Sequence, residues 1–452
     1  MSIEPVPAPL TRPRAATAPR EPDESTPRRG PHDALVAPLL GVALAVVGWL
    51  RMPPVARGTL WAEDGRVFLW DTFYAPAWST LLRPYDGYFH LLPRFAAEVV
   101  VLTTSPSSYA AAVSVAACLV AGAAGALVYI CARSVTENPW LRAAFAGVTL
   151  LIPVLPIEVL GSMANAHWFA LWLTPWLLLY QPSRRAGSIG LGVIALICAL
   201  TEIQTAFFLP LALWRWRSPR GWPIRVGLVI GVAVQLLAAP DRPPRPSGPV
   251  EAANIVAGYL ANAVLSLWWG SAEAVTSTVT HYGWGAAALV LIPSGAALVL
   301  VIRRGTPTQR IAAIAFPVAS VVLWSAALLI NRPQVDWSRP DVASTRDLTV
   351  LRYGVVPSML LLASLLLAIA VLPRRPSAYL AAAVVMAPLL FTVMANLTPD
   401  LTSRSNGPEW APEVRDGRDQ CREDPGAPAV LLPIAPNGWT SRVPCDLLDD
   451  GG

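Results

Sequence analysis

Lysine is absent: all 34 basic residues are arginine. Charge of any kind is scarce. Asp, Glu, Lys and Arg together make up 14% of the chain, against roughly 25% in a typical soluble domain. The four histidines and five cysteines show no spacing that resembles a zinc site. No internal repeat is detectable, which weighs against solenoids and repeat-built transporters. What fills the chain instead is apolar: 54% of the 452 residues are hydrophobic, with a mean hydropathy of +0.49. Water cannot be kept from that much apolar surface in a soluble fold, but a bilayer accepts it. Composition therefore defines an all-α polytopic membrane protein and excludes a wholly disordered chain, a collagen or a small disulfide scaffold. The lack of lysine and the abundance of Ala and Pro point to a GC-rich, bacterial genome.

The net charge is +5, and it sits in short loops between apolar runs. That pattern carries orientation, not a nucleic-acid surface, so no nucleic-acid partner is expected. Residues 1–33, rich in Pro, Arg, Glu and Thr, read as a disordered cytoplasmic tail. No small-residue cleavage site follows the apolar run from Ala34 to Leu50, which favours an uncleaved signal anchor over a cleaved signal peptide. The loops bearing Arg133 and Arg142, Arg184 and Arg185, Arg215 to Arg225, Arg303 to Arg310, and Arg374 and Arg375 mark the cytoplasmic side. Between them lie about eleven crossings, several shorter than the ~20 residues that span a bilayer. They fall near 34–50, 109–131, 142–157, 166–181, 187–201, 203–216, 225–239, 284–302, 310–330, 353–373 and 378–396. Residues 88–103 and 253–270 break the parity and read as helices lying in the outer interface or re-entering from it. The expected domains are a membrane domain over 34–396, with a large outer loop at 51–108, and an extracytoplasmic tail over 397–452.

Most polar chemistry falls on the outer side. The first outer loop carries Trp61-Ala62-Glu63-Asp64-Gly65-Arg66, then Pro84-Tyr85-Asp86-Gly87-Tyr88-Phe89-His90 and Pro93-Arg94. Its many aromatics predict that it packs on the interface or on its own core and leaves the acids in a partly desolvated cleft. A carboxylate there can act as a general base if it reaches the proton it abstracts. Glu63 and Asp64 diverge by about 100° on a helix, so one can serve the acceptor while the other pairs with Arg, a metal or a second hydroxyl. A solvated loop with surface ion pairs is the plainer alternative.

An acidic pair just after the first membrane helix resembles the GT-C class of polytopic glycosyltransferases, and the later Gly-Tyr and Pro-Arg pairs resemble poorly characterised bacterial members of that broad type. The resemblance spans the first loop and the general topology, residues 34–396. It implies an enzyme that moves a sugar from a polyprenyl-phosphate carrier to an extracytoplasmic glycan, lipid or protein acceptor. Glu63 or Asp64 would be the base, with Glu63 favoured by position, although many such enzymes have Asp first. Arg352, which begins a membrane helix with Tyr353 after a polar loop carrying Asp336, Arg339, Asp341, Arg346 and Asp347, would bind the carrier phosphate through its planar fork. Its structural alternative is a snorkelling anchor. Arg94 is a second phosphate candidate, or a partner of Glu98 at i, i+4. Asp86, Tyr88, His90, Glu158, Asn165, His167 and Glu202 are candidate substrate contacts, because polar groups at membrane boundaries are expensive unless they are used. A divalent cation (Mg or Mn) bridging an acid to the phosphate is left open.

Cys421 and Cys445 are the only cysteines in the tail, in a compartment that permits disulfides. A bridge there would close a loop of about 25 residues, contributing roughly 3 kcal/mol. Between them Ala429–Ile434 reads as a strand and Pro436–Trp439 as a turn, in a small subdomain that touches the acceptor or closes over the first loop. Two other functions compete with the transferase: a transporter or flippase of envelope precursors, and a non-catalytic envelope-assembly scaffold.

Overall fold

A computed structural model describes residues 31–238, 250–332, 335–338 and 352–449. The N-terminal tail up to residue 30 and the polar loop bearing Arg339, Asp341, Arg346 and Asp347 lie outside the described residues. The chain is a multi-pass, all-α membrane protein with one small two-stranded sheet near its C-terminus. Among the described residues, seven helices are long and apolar enough to cross a membrane, with shorter apolar helices beside them; a count of eleven crossings is not established.

The difference lies in helix length. The expected spans 142–157, 166–181, 187–201 and 225–239 become the helices Pro139–Leu151, His167–Leu179, Arg185–Thr201 and Trp222–Gln235. The expected span 203–216 is a 3₁₀ helix, Ile203–Leu213. At about 2.0 Å per residue its eleven residues reach roughly 22 Å, close to the ~21 Å of the fourteen-residue α-helix Trp222–Gln235 beside it.

Two helices form the centre. Every residue of His167–Leu179 is buried, as is every residue from Gly354 to Leu367 in Arg352–Ala370. A helix apolar on all faces has nowhere to go but the middle of the bundle. Around this pair, helices meet through glycines: a Cβ on Gly122 would collide with the carbonyl of Gly41, and one on Gly227 with that of Gly192. Small residues let backbones approach where lipid offers no hydrophobic drive for association.

The stretch expected at the interface over 253–270 forms a helix, Ala252–Trp269, that by length and composition is one of the seven. Its contacts nevertheless run across one end of the bundle. Asn254 bonds the backbone of Val335 and Trp337, the Ala263 carbonyl accepts from Ser358, and the Trp268 carbonyl accepts from Thr392. The first-loop helix Leu91–Thr103 has thirteen residues and spans only about 20 Å.

One buried cation ties this end together. Arg51, fully enclosed, donates to the carbonyls of Leu150, Ile152, Pro153, Asn396 and Leu397 and meets no carboxylate among the described residues. Arg51→Met should lower stability by about 3 kcal/mol or more, because buried carbonyls would lose their donors. Thermal unfolding in detergent reads this directly, and an unchanged midpoint would refute the bracing role.

The C-terminal subdomain comprises the helix Trp410–Glu423 and the antiparallel strands β1 (Ala429–Ile434) and β2 (Trp439–Pro444), with Cys421 and Cys445 joined in a disulfide. It sits against the loop that follows the first helix. Ala62 N–H donates to the Ala435 carbonyl, Ala435 N–H to that of Leu60, and Ser441 Oγ–H to that of Gly65. Trp410 is buried and bonds the backbone of Gly58 and Pro106. The loop is thus clamped on either side of Glu63.

Candidate functional site

Five separate segments meet at one end of the bundle around a cavity of about 180 Å³. The first loop supplies Glu63, Phe68, Tyr85 to Tyr88 and His90; the start of the central helix and the turn before it supply Ala164, Asn165, His167 and Trp168; Glu202 to Gln204 follow the Arg185–Thr201 helix; Ile330 and Asn331 end a long helix; and Arg352 and Tyr353 begin one. Of the residues singled out from sequence, Glu63, Asp86, Tyr88, His90, Asn165, His167, Glu202, Arg352 and Tyr353 all line this cavity. They came from polar positions flanking apolar runs, and a bundle collects such flanks at its ends.

Three of the candidates lie outside this lining. Asp64 does not line the cavity. Its Oδ1 accepts the Ala164 N–H at 2.7 Å, and its side chain is 2% exposed. Arg94 is also elsewhere: it pairs with Asp71 at 2.8 Å, which also holds Arg83, and stands over the Phe68 ring. It does not pair with Glu98, which accepts instead from Thr72 and Thr80. Glu158 is not in the cavity wall but behind it, where its Oε1 accepts from Arg352 Nη1–H at 2.7 Å. No group of three His, Cys, Asp or Glu among the described residues could hold a metal ion.

The adjacent acids therefore live in different surroundings. Glu63 is half-buried at the start of a short helical turn and faces the cavity. Asp64 is enclosed, and burial raises its carboxyl to about 7, outweighing the opposite pull of the Ala164 N–H, Ser162 and Arg404. Arg404 comes from the segment before the C-terminal subdomain and donates to the carbonyls of Leu160 and Gly161. Sequence reasoning missed it, because nothing local in 397–409 signals a contact with the first loop.

The sign of the resulting pH dependence follows. Between about pH 4 and pH 7 the folded chain keeps a proton on Asp64 that the unfolded chain has released. Stability therefore falls as pH rises through that window and levels off above it, by an amount of order 4 kcal/mol. Asp64→Asn keeps an acceptor for the Ala164 N–H and removes the ionisable group. The variant should match wild type near pH 4 and unfold at a higher temperature at pH 8. A wild-type minus variant difference that does not change with pH would sink this account.

The remaining polar groups follow a pattern. His167 Nδ1 is hydrogen-bonded to Glu202, whose other oxygen accepts the Gln204 N–H. His90 Nε2–H donates to the Tyr85 carbonyl at 3.2 Å, leaving Nδ1 as an acceptor. Burial, then His167 and Arg94, pushes His90 well below its ordinary value, so its ring is neutral at pH 7. Burial also raises the Tyr85 phenol to about 12. Three buried acceptors at or behind the cavity have no partner among the described residues: His90 Nδ1, Gln204 Oε1 and Glu158 Oε2. Burial raises the Glu158 carboxyl to about 6 against the pull of Arg352. Phe68, Tyr85, Tyr88, Trp168 and Tyr353 make the walls aromatic.

Both central helices begin at this cavity, at His167 and Arg352, so both present the positive end of the helix dipole to it. Chemically, the arrangement offers one guanidinium for an anion, the carboxylates of Glu63, Asp86 and Glu202, acceptors that lack donors, and flat aromatic walls. No known protein family, curated protein or solved structure matches the chain.

Proposed function

We propose that the chain is a membrane glycosyltransferase that takes a sugar from a polyprenyl-phosphate carrier and passes it to an acceptor hydroxyl on the extracytoplasmic side. The observation that carries this reading is the kind of group the cavity leaves unsatisfied. In the cavity wall, His90 Nδ1 and Gln204 Oε1 are acceptors without donors among the described residues, and a buried acceptor left unpaired is costly. A sugar brings several O–H donors and an apolar face, and the aromatic walls suit that face. Arg352 together with two helix N-termini suits a phosphate.

In this reading Glu63 takes the proton from the acceptor hydroxyl, whose oxygen attacks the anomeric carbon. The bond from that carbon to the phosphate oxygen breaks with inversion, and the electron pair leaves on the phosphate. Arg352 offsets the charge that develops there, which matters more for a phosphate leaving group than protonation. Glu158 holds the guanidinium in place from behind.

The test uses purified protein in lipid with a panel of polyprenyl-monophosphate sugars and envelope glycan acceptors, following release of polyprenyl phosphate and transfer of the sugar. Turnover supports the transferase. No turnover and no donor binding across the panel would leave the cavity to a transported or scaffolded ligand.

A further inference from the structure

A second cavity lies at the other end of the molecule. It has a volume of about 370 Å³ and is enclosed by the helices Gly285–Arg304, Arg352–Ala370 and Pro376–Ala395. Leu300, Leu365, Ile369 and Met386 are representative of its lining, and Arg304 is its one charged wall residue.

Its origin is visible in how Pro376–Ala395 is held. That helix buries only Leu389, Thr392 and Val393, all in its second half. Thr392 Oγ1–H donates to the Trp268 carbonyl at 2.6 Å, and Asn396 lies against Gly270. The first half, from Pro376 to Pro388, buries no side chain. The helix is thus fastened at the end near the polar cavity and splayed at the arginine-rich end, which leaves an apolar wedge. Water does not fill so apolar a space, and inside a bilayer a hydrocarbon chain does.

The mouth of the wedge is cationic. Arg303, Arg304, Arg374 and Arg375 are exposed, and none has a carboxylate partner among the described residues. No acid occurs in the sequence over 274–335 or 348–399. An apolar slot with an arginine rim is complementary to an amphiphile with an anionic head.

We propose that this wedge binds an anionic phospholipid, with an acyl chain between the three helices and the phosphate against Arg304 and the neighbouring arginines. The site is separate from the polar cavity and does not depend on the transferase reading.

The probe is the full chain in nanodiscs of equal phosphatidylglycerol and phosphatidylcholine, with retained lipid identified by native mass spectrometry. In wild type the ratio of retained phosphatidylglycerol to phosphatidylcholine should exceed the bulk ratio by roughly five-fold for each arginine engaged. Arg304→Gln combined with Arg374→Gln and Arg375→Gln should return the ratio to bulk. Ala382→Phe, which fills the slot and leaves the charges, should lose the bound lipid while keeping the wild-type melting profile. Bulk composition in wild type, or enrichment that survives both variants, would overturn the proposal. So would displacement of phosphatidylglycerol by added polyprenyl phosphate, or a dimer mass that disappears in Ala382→Phe, since either would give the wedge another occupant.

Discussion

Glu63→Gln should lower sugar transfer by about 10²–10⁴-fold, the usual contribution of a positioned general base, with the melting temperature unchanged. The side chain is half-buried, lines the polar cavity and has no hydrogen-bond partner among the described residues. The amide has nearly the same shape and removes only the ability to take a proton. Asp64→Asn is the matched control. It changes the neighbouring acid, yet its expected effect is on the pH dependence of stability, because Asp64 faces Ala164 and Arg404 rather than the cavity. The decisive comparison is transfer by the two variants at pH 8 under single-turnover conditions. A dead Asn variant beside an active Gln variant would exchange the two roles.

Arg352→Gln should cost transfer about 10²–10³-fold, the scale seen when one donor to a developing charge is removed. It should also destabilise the fold, since Glu158 would stay behind as a buried acid without its partner. The two effects separate in the double variant. Adding Glu158→Gln should recover stability without recovering transfer, because the guanidinium proposed to meet the phosphate is still missing. Arg352→Lys keeps the charge but loses the planar fork, so it should bind donor more weakly than wild type while preserving most stability. Melting curves and donor binding measured on all four proteins decide the matter. If the double variant regained transfer, Arg352 would be a structural partner of Glu158 and nothing more.

Much of this site was legible because of where polar residues fall in an apolar chain. Asp86, His90, Asn165, His167, Glu202 and Arg352 each flank a hydrophobic run, and flanks on one side of a bilayer end up close together. The pairings were not legible. That Arg94 chooses Asp71 over Glu98, and that Glu158 reaches Arg352 across 194 positions, depends on helix rotation, which hydropathy does not encode. The split between Glu63 and Asp64 was half visible: adjacent residues must diverge, but only the fold decides which one is enclosed. Arg404 was beyond reach, since its contact with the Leu160–Gly161 turn is made by a segment with no distinguishing pattern of its own. Crossing number is hard to read for a related reason. Apolar content reports which segments avoid water, and neither the rise per residue nor the direction of travel, so composition did not show that Ile203–Leu213 is a 3₁₀ helix or how Ala252–Trp269 lies on the bundle.

The short hairpin beside the polar cavity has a mechanical meaning. Ile203–Leu213 reaches roughly 22 Å and Trp222–Gln235 about 21 Å, whereas the hydrocarbon core of a bilayer is about 30 Å thick. A membrane meeting this flank must thin by several ångströms, at a modest elastic cost for each ångström of mismatch. Glu202 and Gln204 stand at the top of that hairpin, in the wall of the cavity. Such a dimple would draw the headgroup layer nearest Glu202 down beside the cavity, bringing polar headgroups and the cavity mouth to the same depth by the shape of the membrane itself.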